Sequence, residues 1–221
     1  MKKRAIIVAN GDPPKLSDLH FFQSVGFEYI IAADGGVNSL FRLKITPNII
    51  IGDFDSADQT VLHYYNGKSE VIHLERQDDT DVEKALKYAI SEGIEEVVLT
   101  GATGDRLDHT FCNLGIALKF YDMIKVFITH QKSLLEVREG SVNYTTLPGE
   151  TISLYGFDGE THITTEGFKY PLKKETLQFG VRESTSNVAT GNKVNIEIEG
   201  GKIFVIRELR AIEKNGYFSE S

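Results

Sequence analysis

Four short apolar runs in this chain each end in a loop of glycines and carboxylates, and that arrangement admits few folds. Residues 30–33 lead into Asp34-Gly35-Gly36, residues 49–51 into Gly52-Asp53-Phe54-Asp55-Ser56, and residues 71–74 into a stretch that reaches Asp78-Asp79-Thr80-Asp81. The fourth run, 97–100, passes through Gly101-Ala102-Thr103-Gly104 to Asp105, Arg106, Asp108 and His109. Short, mostly apolar runs of this kind are what parallel strands covered by helices require. As parallel neighbours, these strands would carry all four loops on the carboxyl edge of one sheet, where open α/β sheets bind their ligands.

The segments between the runs have helical spacing. A first apolar run at 4–9 is broken by Asn10-Gly11-Asp12-Pro13-Pro14; Leu16, Leu19 and Phe22 then form a partial stripe, and Val37, Leu40 and Phe41 form another. Residues 57–66 place Val61, Leu62 and Tyr65 on one helical face. Thr80-Asp81-Val82-Glu83 matches a capping box, in which Thr80 accepts from the Glu83 amide and Glu83 reaches back. Val82, Ala85, Leu86, Ala89 and Ile90 follow as an amphipathic stripe. A helix from Arg106 is expected to bury Leu107, Phe111, Leu114, Leu118 and Tyr121, and residues 125–129 give a sixth strand.

After residue 131 the helical stripes vanish. Val194, Ile196 and Ile198 alternate with Asn195, Glu197 and Glu199, and Gly200-Gly201 reads as a two-residue hairpin turn before a returning strand at 203–206. With further runs at 151–154, 162–164 and 177–179, an antiparallel sandwich is expected, and the tail from Glu213 is expected to fray. The fold class is therefore α/β: an N-terminal, mostly parallel α/β domain over 1–131, then a smaller C-terminal antiparallel β-sandwich over 132–221.

A formal net charge of −8 argues against a nucleic-acid or membrane surface as partner, because phosphate backbones and anionic lipids select clustered Lys and Arg. One cysteine, Cys112, allows no intramolecular disulfide, and the five apolar residues after Met1-Lys2-Lys3-Arg4 are too few for a signal-peptide core. A cytoplasmic protein is expected. Gly67-Lys68-Ser69 is not the end of a P-loop, since Leu62 stands where the first glycine belongs and the segment precedes a strand.

Asp53 and Asp55, two apart on an extended segment, face the same way. Alone they could equally be turn chemistry. Several such loops on one edge would repel one another unless a cation sat among them, and hard oxygen ligands suit Mg²⁺ held jointly by carboxylates and substrate phosphates. Gly101-Ala102-Thr103-Gly104 before a helix offers backbone amides and a positive dipole end to an anion. Arg106 suits a phosphate clamp, His109 could serve as a hydrogen-bonded supporting group, and Cys112 reads as buried packing.

These residues, in this order, resemble the thiamine pyrophosphokinase (thiamine diphosphokinase) family over nearly the whole chain. The matching words are Asp34-Gly35-Gly36, Gly52-Asp53-Phe54-Asp55-Ser56, Asp78-x-Thr80-Asp81 with Lys84-Ala85-Leu86, residues 101–109, and Thr185-Ser186-Asn187. The resemblance implies an α/β catalytic domain that binds ATP and a β-sandwich that binds thiamine, in a homodimer whose active sites lie between the catalytic domain of one subunit and the sandwich of the other. It implies transfer of a diphosphate from ATP to the thiamine hydroxyl, releasing AMP. It assigns Asp53, Asp55, Asp78 and Asp81 to Mg²⁺ and the phosphates, and Asp34, Gly101, Gly104, Arg106, Asp108 and His109 to the nucleotide. Ser186 and Asn187 fall at the thiamine end. Asp53, Asp55 and Asp81 form the catalytic set, with the hydroxyl proton going to Asp81 or Asp55. Asp105 and Ser184 depart from the family pattern, each standing where a glycine is common. Two rival readings use the same carboxylates: a Mg²⁺-dependent phosphohydrolase, and a non-catalytic regulator that binds nucleotide or thiamine.

Overall fold

The computed structural model describes residues 3–75, 78–104 and 106–218, so Asp105 and its departure from the family pattern lie outside the described residues. The chain divides into two compact units, Met1–Gln131 and Lys132–Ser221.

The first unit alternates strand and helix: β1 (Arg4–Val8), α1 (Leu16–Ser24), β2 (Tyr29–Ala33), α2 (Gly36–Arg42), β3 (Ile49–Gly52), α3 (Gln59–Tyr65), β4 (Glu70–His73), α4 (Asp81–Ser91), β5 (Glu96–Thr100), α5 (Leu107–Lys119) and β6 (Lys125–His130). Its strands lie in the order β6-β5-β1-β2-β3-β4, and every neighbouring pair is parallel. The central strands are buried throughout, with Ile6, Ile7, Ile31, Ile50, Val98 and Leu99 wholly shielded from solvent, as a sheet covered on both faces requires. The chain steps outward from β1 to β4 and then returns to lay β5 and β6 on the other side of β1. The direction of progression therefore reverses between β1 and β5.

The capping box of α4 forms as expected: the Glu83 amide donates to Thr80 Oγ1 and the Thr80 amide donates to Glu83 Oε2, both at 3.2 Å. Val82, Ala85, Leu86 and Ala89 are buried on that helix, and so are Glu83 and Lys84. Helix α5 is turned differently from the expected face. Asn113, Ile116 and Ala117 are buried, whereas Leu107 is 71% exposed and Phe111 59% exposed. The rotation has a polar cause, since Asn113 Nδ2 donates to the Ala102 carbonyl at 2.7 Å and brings that side of the helix against the glycine loop. Cys112, one residue earlier, is consequently exposed rather than packed.

The second unit contains β7 (Ser133–Thr145), β8 (Thr151–Tyr155), β9 (His162–Glu166), β10 (Glu175–Thr176), β11 (Ser184–Val188), β12 (Lys193–Glu208) and α6 (Leu209–Asn215). The Gly200-Gly201 pair does not turn the chain back. β12 runs on as one strand of 16 residues, paired along β7 with an irregularity between Ile198 and Ile203. Before that bulge it pairs with β9, and after it with β8, so one strand serves two layers. The inward residues of both layers, among them Ile163, Ile196, Ile152 and Val205, form one core. The expected strand at 177–179 is absent: the short β10 ends at Thr176, Leu177 is buried as an anchor, and Phe179 is exposed. As far as Phe218 the tail is structured rather than frayed. α6 extends to Asn215, Gly216 closes it in the left-handed region, and the Tyr217 hydroxyl donates to Glu136 at 3.0 Å.

This core encloses charge. The Arg207 and Glu150 side chains are completely buried and paired, Nε to Oε1 at 2.8 Å, with Arg207 Nη2 donating to the Thr145 carbonyl at 2.9 Å. The guanidinium also lies 4.6 Å from the Tyr144 ring centroid. Removing one member leaves an uncompensated buried charge, so Glu150→Ala is expected to cost about 3–5 kcal/mol in urea denaturation, whereas Glu150→Leu combined with Arg207→Met costs far less. Equal losses for the single and double variants would contradict that reading.

Candidate active site

The reversal between β1 and β5 opens a crevice at the carboxyl ends of the strands, the place where open α/β sheets bind ligands. The two loops that leave these strands are zipped together: the Ala9 amide donates to Thr100 O at 2.8 Å, Gly11 to Gly101 O at 2.6 Å, and Asp12 to Thr103 O at 2.9 Å. So close an approach excludes side chains. A Cβ on Gly101, which has φ 66, would lie 2.4 Å from the Ala9 carbonyl oxygen, and Gly104 has φ 96, a backbone conformation that side chains disfavour. Asn113 holds the Ala102 carbonyl from below, and the Thr103 hydroxyl shares a 2.7 Å hydrogen bond with His130 Nδ1.

The result is a cavity of about 480 Å³ whose walls include Asn10, Gly11, Asp34, Asp81, Gly101, Gly104, Arg106, Asp108 and His109. Arg106, the N-cap of α5, makes no side-chain cap hydrogen bond, and the first turn of that helix, with its positive dipole end, lines the cavity through Arg106, Asp108 and His109. Arg106 and Asp108 sit at this rim as an exposed pair, Nη2 to Oδ2 at 2.6 Å and Nε to Oδ1 at 3.2 Å. The Arg106 guanidinium holds the Asp108 carboxyl below its usual range. A pair so exposed contributes little to stability, and its arginine is accessible to an anion. His109 and Cys112 line the same side.

Opposite stands the acidic end. Carboxylate oxygens of Asp34, Asp53 and Asp81 lie within 4.8 Å of one another, the one such convergence among the described residues. Asp34 follows β2 with φ 44 and is 3% exposed; its Oδ2 accepts from the Ser56 amide at 3.3 Å, and its Oδ1 is buried with no partner. Burial pushes its pKa up; the Gly35 and Ser56 hydrogen bonds oppose this, while repulsion from Asp81 and Asp55 adds to it. Asp53 follows β3 and is held below the normal carboxyl range, chiefly by its hydrogen bond from Lys84.

Lys84 was not apparent as a site residue from sequence alone, yet it organises this end. Its side chain is 2% exposed, and its ammonium donates to Asp53 Oδ2 at 3.1 Å and Asp81 Oδ1 at 2.8 Å. Burial alone would lower its pKa, but the two carboxylates more than offset that and raise it. The signal was its position three residues after Asp81, one turn on along the buried stripe of α4. Asn10, Gly11 and Asn113 were likewise not singled out. One ammonium among three carboxylates leaves excess negative charge, and Asp34 Oδ1 is a buried acceptor without a donor. A hard divalent cation such as Mg²⁺ fits that donor set.

The remaining expected residues are more scattered. Asp55 is exposed, with its amide directed to Asp53 Oδ1 at 3.4 Å and its carboxylate accepting from Ser56 Oγ at 2.9 Å. Asp78 is exposed on the approach to α4, outside the three-carboxylate cluster. Ser186 and Asn187 belong to the second unit. Ser186 is exposed at φ 55, and its amide donates to Ser153 Oγ at 2.9 Å. Asn187 is buried: Nδ2 donates to the Tyr170 carbonyl at 2.7 Å, and Oδ1 accepts from the amides of Tyr170 at 3.1 Å and Val188 at 2.9 Å. Its polar atoms serve the loop, so its bearing on a ligand is through the shape of that loop.

Comparison with known proteins gives two family matches, "Thiamin pyrophosphokinase, catalytic domain" over residues 25–128 and "Thiamin pyrophosphokinase, vitamin B1 binding domain" over residues 137–203. The chain is 29% identical over 212 residues to thiamin pyrophosphokinase 1 of Caenorhabditis elegans, covering 89% of this chain and 86% of that one. Among solved structures it is similar to thiamin pyrophosphokinase from Geobacillus thermodenitrificans, with TM-score 0.77 and 27% identity over 92% of this chain and 96% of the other. It also shares its fold with thiamine pyrophosphokinase from Bacillus subtilis, with TM-score 0.79 and 24% identity over 93% and 99%.

The buried acid of this site has a consequence for stability. A carboxyl whose folded pKa exceeds its unfolded value binds an extra proton only when folded, so its contribution to stability falls as pH rises through that window. Asp34→Asn, which removes the charge and tolerates a left-handed backbone, is therefore expected to be more stable than the parent at neutral pH, with the advantage shrinking as pH falls below the ordinary carboxyl range. Thermal unfolding across pH checks this; a variant less stable at pH 7 would contradict it.

Proposed function

This chain belongs to the thiamin pyrophosphokinase family, and we propose on that basis that it transfers a diphosphate group from ATP to the hydroxyl of thiamine, giving thiamine diphosphate and AMP. The observation that carries the chemistry is the cavity between β1 and β5, acidic at one end around the unpartnered Asp34 Oδ1 and amide-rich at the other. The two ends match the needs of a metal-bound polyphosphate. Mg²⁺ held by Asp34, Asp53 and Asp81 would neutralise charge on the phosphate oxygens.

In this reading the chain's own residues orient the reactants. The Gly101 to Gly104 loop and the start of α5 cradle phosphate through backbone amides, and Arg106 exchanges Asp108 for a phosphate oxygen. Asp55 and Asp78, at the exposed rim, extend the acidic surface toward the triphosphate. The hydroxyl oxygen of thiamine attacks the β-phosphorus, the bond from that phosphorus to the α,β-bridging oxygen breaks, and AMP leaves with the electron pair. The released proton goes to a carboxylate, for which Asp55 and Asp81 are the candidates. Lys84 keeps Asp53 and Asp81 aligned throughout.

The proposal extends to assembly and location. Residues 1–131 act as the ATP-binding catalytic domain and 132–221 as the thiamine-binding domain, in a homodimer where the sandwich of one subunit completes the site on its partner. Apolar side chains exposed in both units support such an interface, Leu107 and Phe111 in the first, Tyr170, Phe179 and Val181 in the second. Among the described residues no helix is long and apolar enough to cross a membrane, and a single free cysteine suits a reducing cytoplasm.

Attack at the β-phosphorus sets the test. An ATP analogue with methylene between the α and β phosphorus atoms is expected to bind and not react, because its scissile oxygen is gone, whereas the β,γ-methylene analogue remains a substrate. Phosphorus NMR with thiamine and Mg²⁺ reads both outcomes. ADP and thiamine monophosphate as first products would overturn diphosphate transfer, and inorganic phosphate alone would indicate a phosphohydrolase. Assembly is tested by mixing inactive Asp81→Asn subunits with inactive Ser186→Arg subunits. Partial activity is expected to return on exchange, because each mixed dimer holds one undamaged site; no recovery after verified exchange would mean that each site lies within one chain.

A further inference from the structure

Phe54 sits between Asp53 and Asp55 with φ 65, in the left-handed region that large side chains rarely occupy. The loop it belongs to aims the Asp53 carboxylate, yet that side chain is 35% exposed, so burial does not fix it. What holds Phe54 comes from the next strand. His73 is the last residue of β4 and the register partner of Gly52. Its ring stacks on the Phe54 ring, with centroids 5.3 Å apart and planes 17° from parallel, and its Nε2–H donates to the Asp53 carbonyl at 3.1 Å. The adjacent Leu74 amide donates to Gly52 O at 2.9 Å and anchors the base of the loop.

We propose that His73 is a positioning residue for the cation site: by stacking on Phe54 and tying the Asp53 carbonyl, it keeps the left-handed turn in place and so holds the Asp53 carboxylate in register with Asp34 and Asp81. Its position argues against a role in the core, because His73 is exposed on an edge strand whose side chains are largely solvated. It contributes two separable contacts, a ring face and a donor. The inference rests on the cation-dependent reading of this cluster given above, and extends it to a residue that touches neither the cation nor the substrates.

The test is titration of the whole protein with Mn²⁺, followed by the paramagnetic signal of the free ion, with no nucleotide present. His73→Ala is expected to bind Mn²⁺ about tenfold more weakly, the scale of losing a supporting partner of a metal ligand. His73→Gln, which retains a donor, and His73→Phe, which retains a ring, should each recover part of the loss, and this rescue keeps the test decisive if the alanine variant folds poorly. In turnover, the Mg²⁺ concentration for half-maximal rate should rise while the KM for thiamine stays unchanged. Parental Mn²⁺ affinity in folded His73→Ala, or equal losses in all three variants, would overturn the proposal. A parent protein that binds Mn²⁺ in this His73-dependent way but makes no thiamine diphosphate would instead overturn the functional reading and leave the positioning role standing.

Discussion

Like charges gathered at one edge of a sheet are the constraint on which this structure turns. Asp34, Asp53 and Asp81 come from three different strand-to-helix junctions, and nothing local requires them to meet; the parallel order of β2 and β3 and the start of α4 brings them together. Their mutual repulsion works against the fold, and Lys84 offsets only part of it. Asp34 bears the most visible cost, buried with one oxygen unpartnered and its backbone at positive φ. Unfavourable features of this kind persist where function uses them. Here the surplus negative charge is what the proposed function uses, as a receptor for a cation and, through the cation, for phosphate.

The rest of the first unit keeps that charged edge rigid and leaves room beside it. Reversal of strand order between β1 and β5 creates the opening, and backbone hydrogen bonds between the loops after these strands give it a floor that only glycine permits at Gly101 and that favours glycine at Gly104. The capping box closes the start of α4 with its own side chains, while α5 begins without one. The two helix starts thus differ, α4 closed by a capping box and α5 with an N-cap residue that makes no cap hydrogen bond.

Much of this was legible in the sequence because period and punctuation survive folding. The six strands of the first unit, the capping box and the acidic strand ends all left local signals. What was not legible depended on partners distant in the chain. The face of α5 was misjudged because Asn113 turns inward to hold the Ala102 carbonyl, a polar contact that outweighs the apolar Leu107 and Phe111. Gly200 and Gly201 suggested a hairpin, but strand pairing on both sides of them continues along β7 and makes a bulge instead. In the site, the sequence groups Asp53, Asp55, Asp78 and Asp81 as metal ligands; only the three-dimensional arrangement separates Asp53 and Asp81, which converge with Asp34, from the exposed Asp55 and Asp78. Lys84 lay in view one turn beyond Asp81, its role visible only once both of its carboxylates were in place.

The proposed activity requires that Asp34, Asp53 and Asp81 together form a single divalent-cation site at the carboxyl edge of the sheet. Anomalous diffraction from crystals of the protein with Mn²⁺ and a non-reacting ATP analogue tests it directly. One anomalous peak is expected, bound by oxygens of these three carboxylates, with the phosphates extending from it toward the start of α5. A peak confined to Asp55 and Asp78, or phosphates bound with no metal among the three carboxylates, would contradict it.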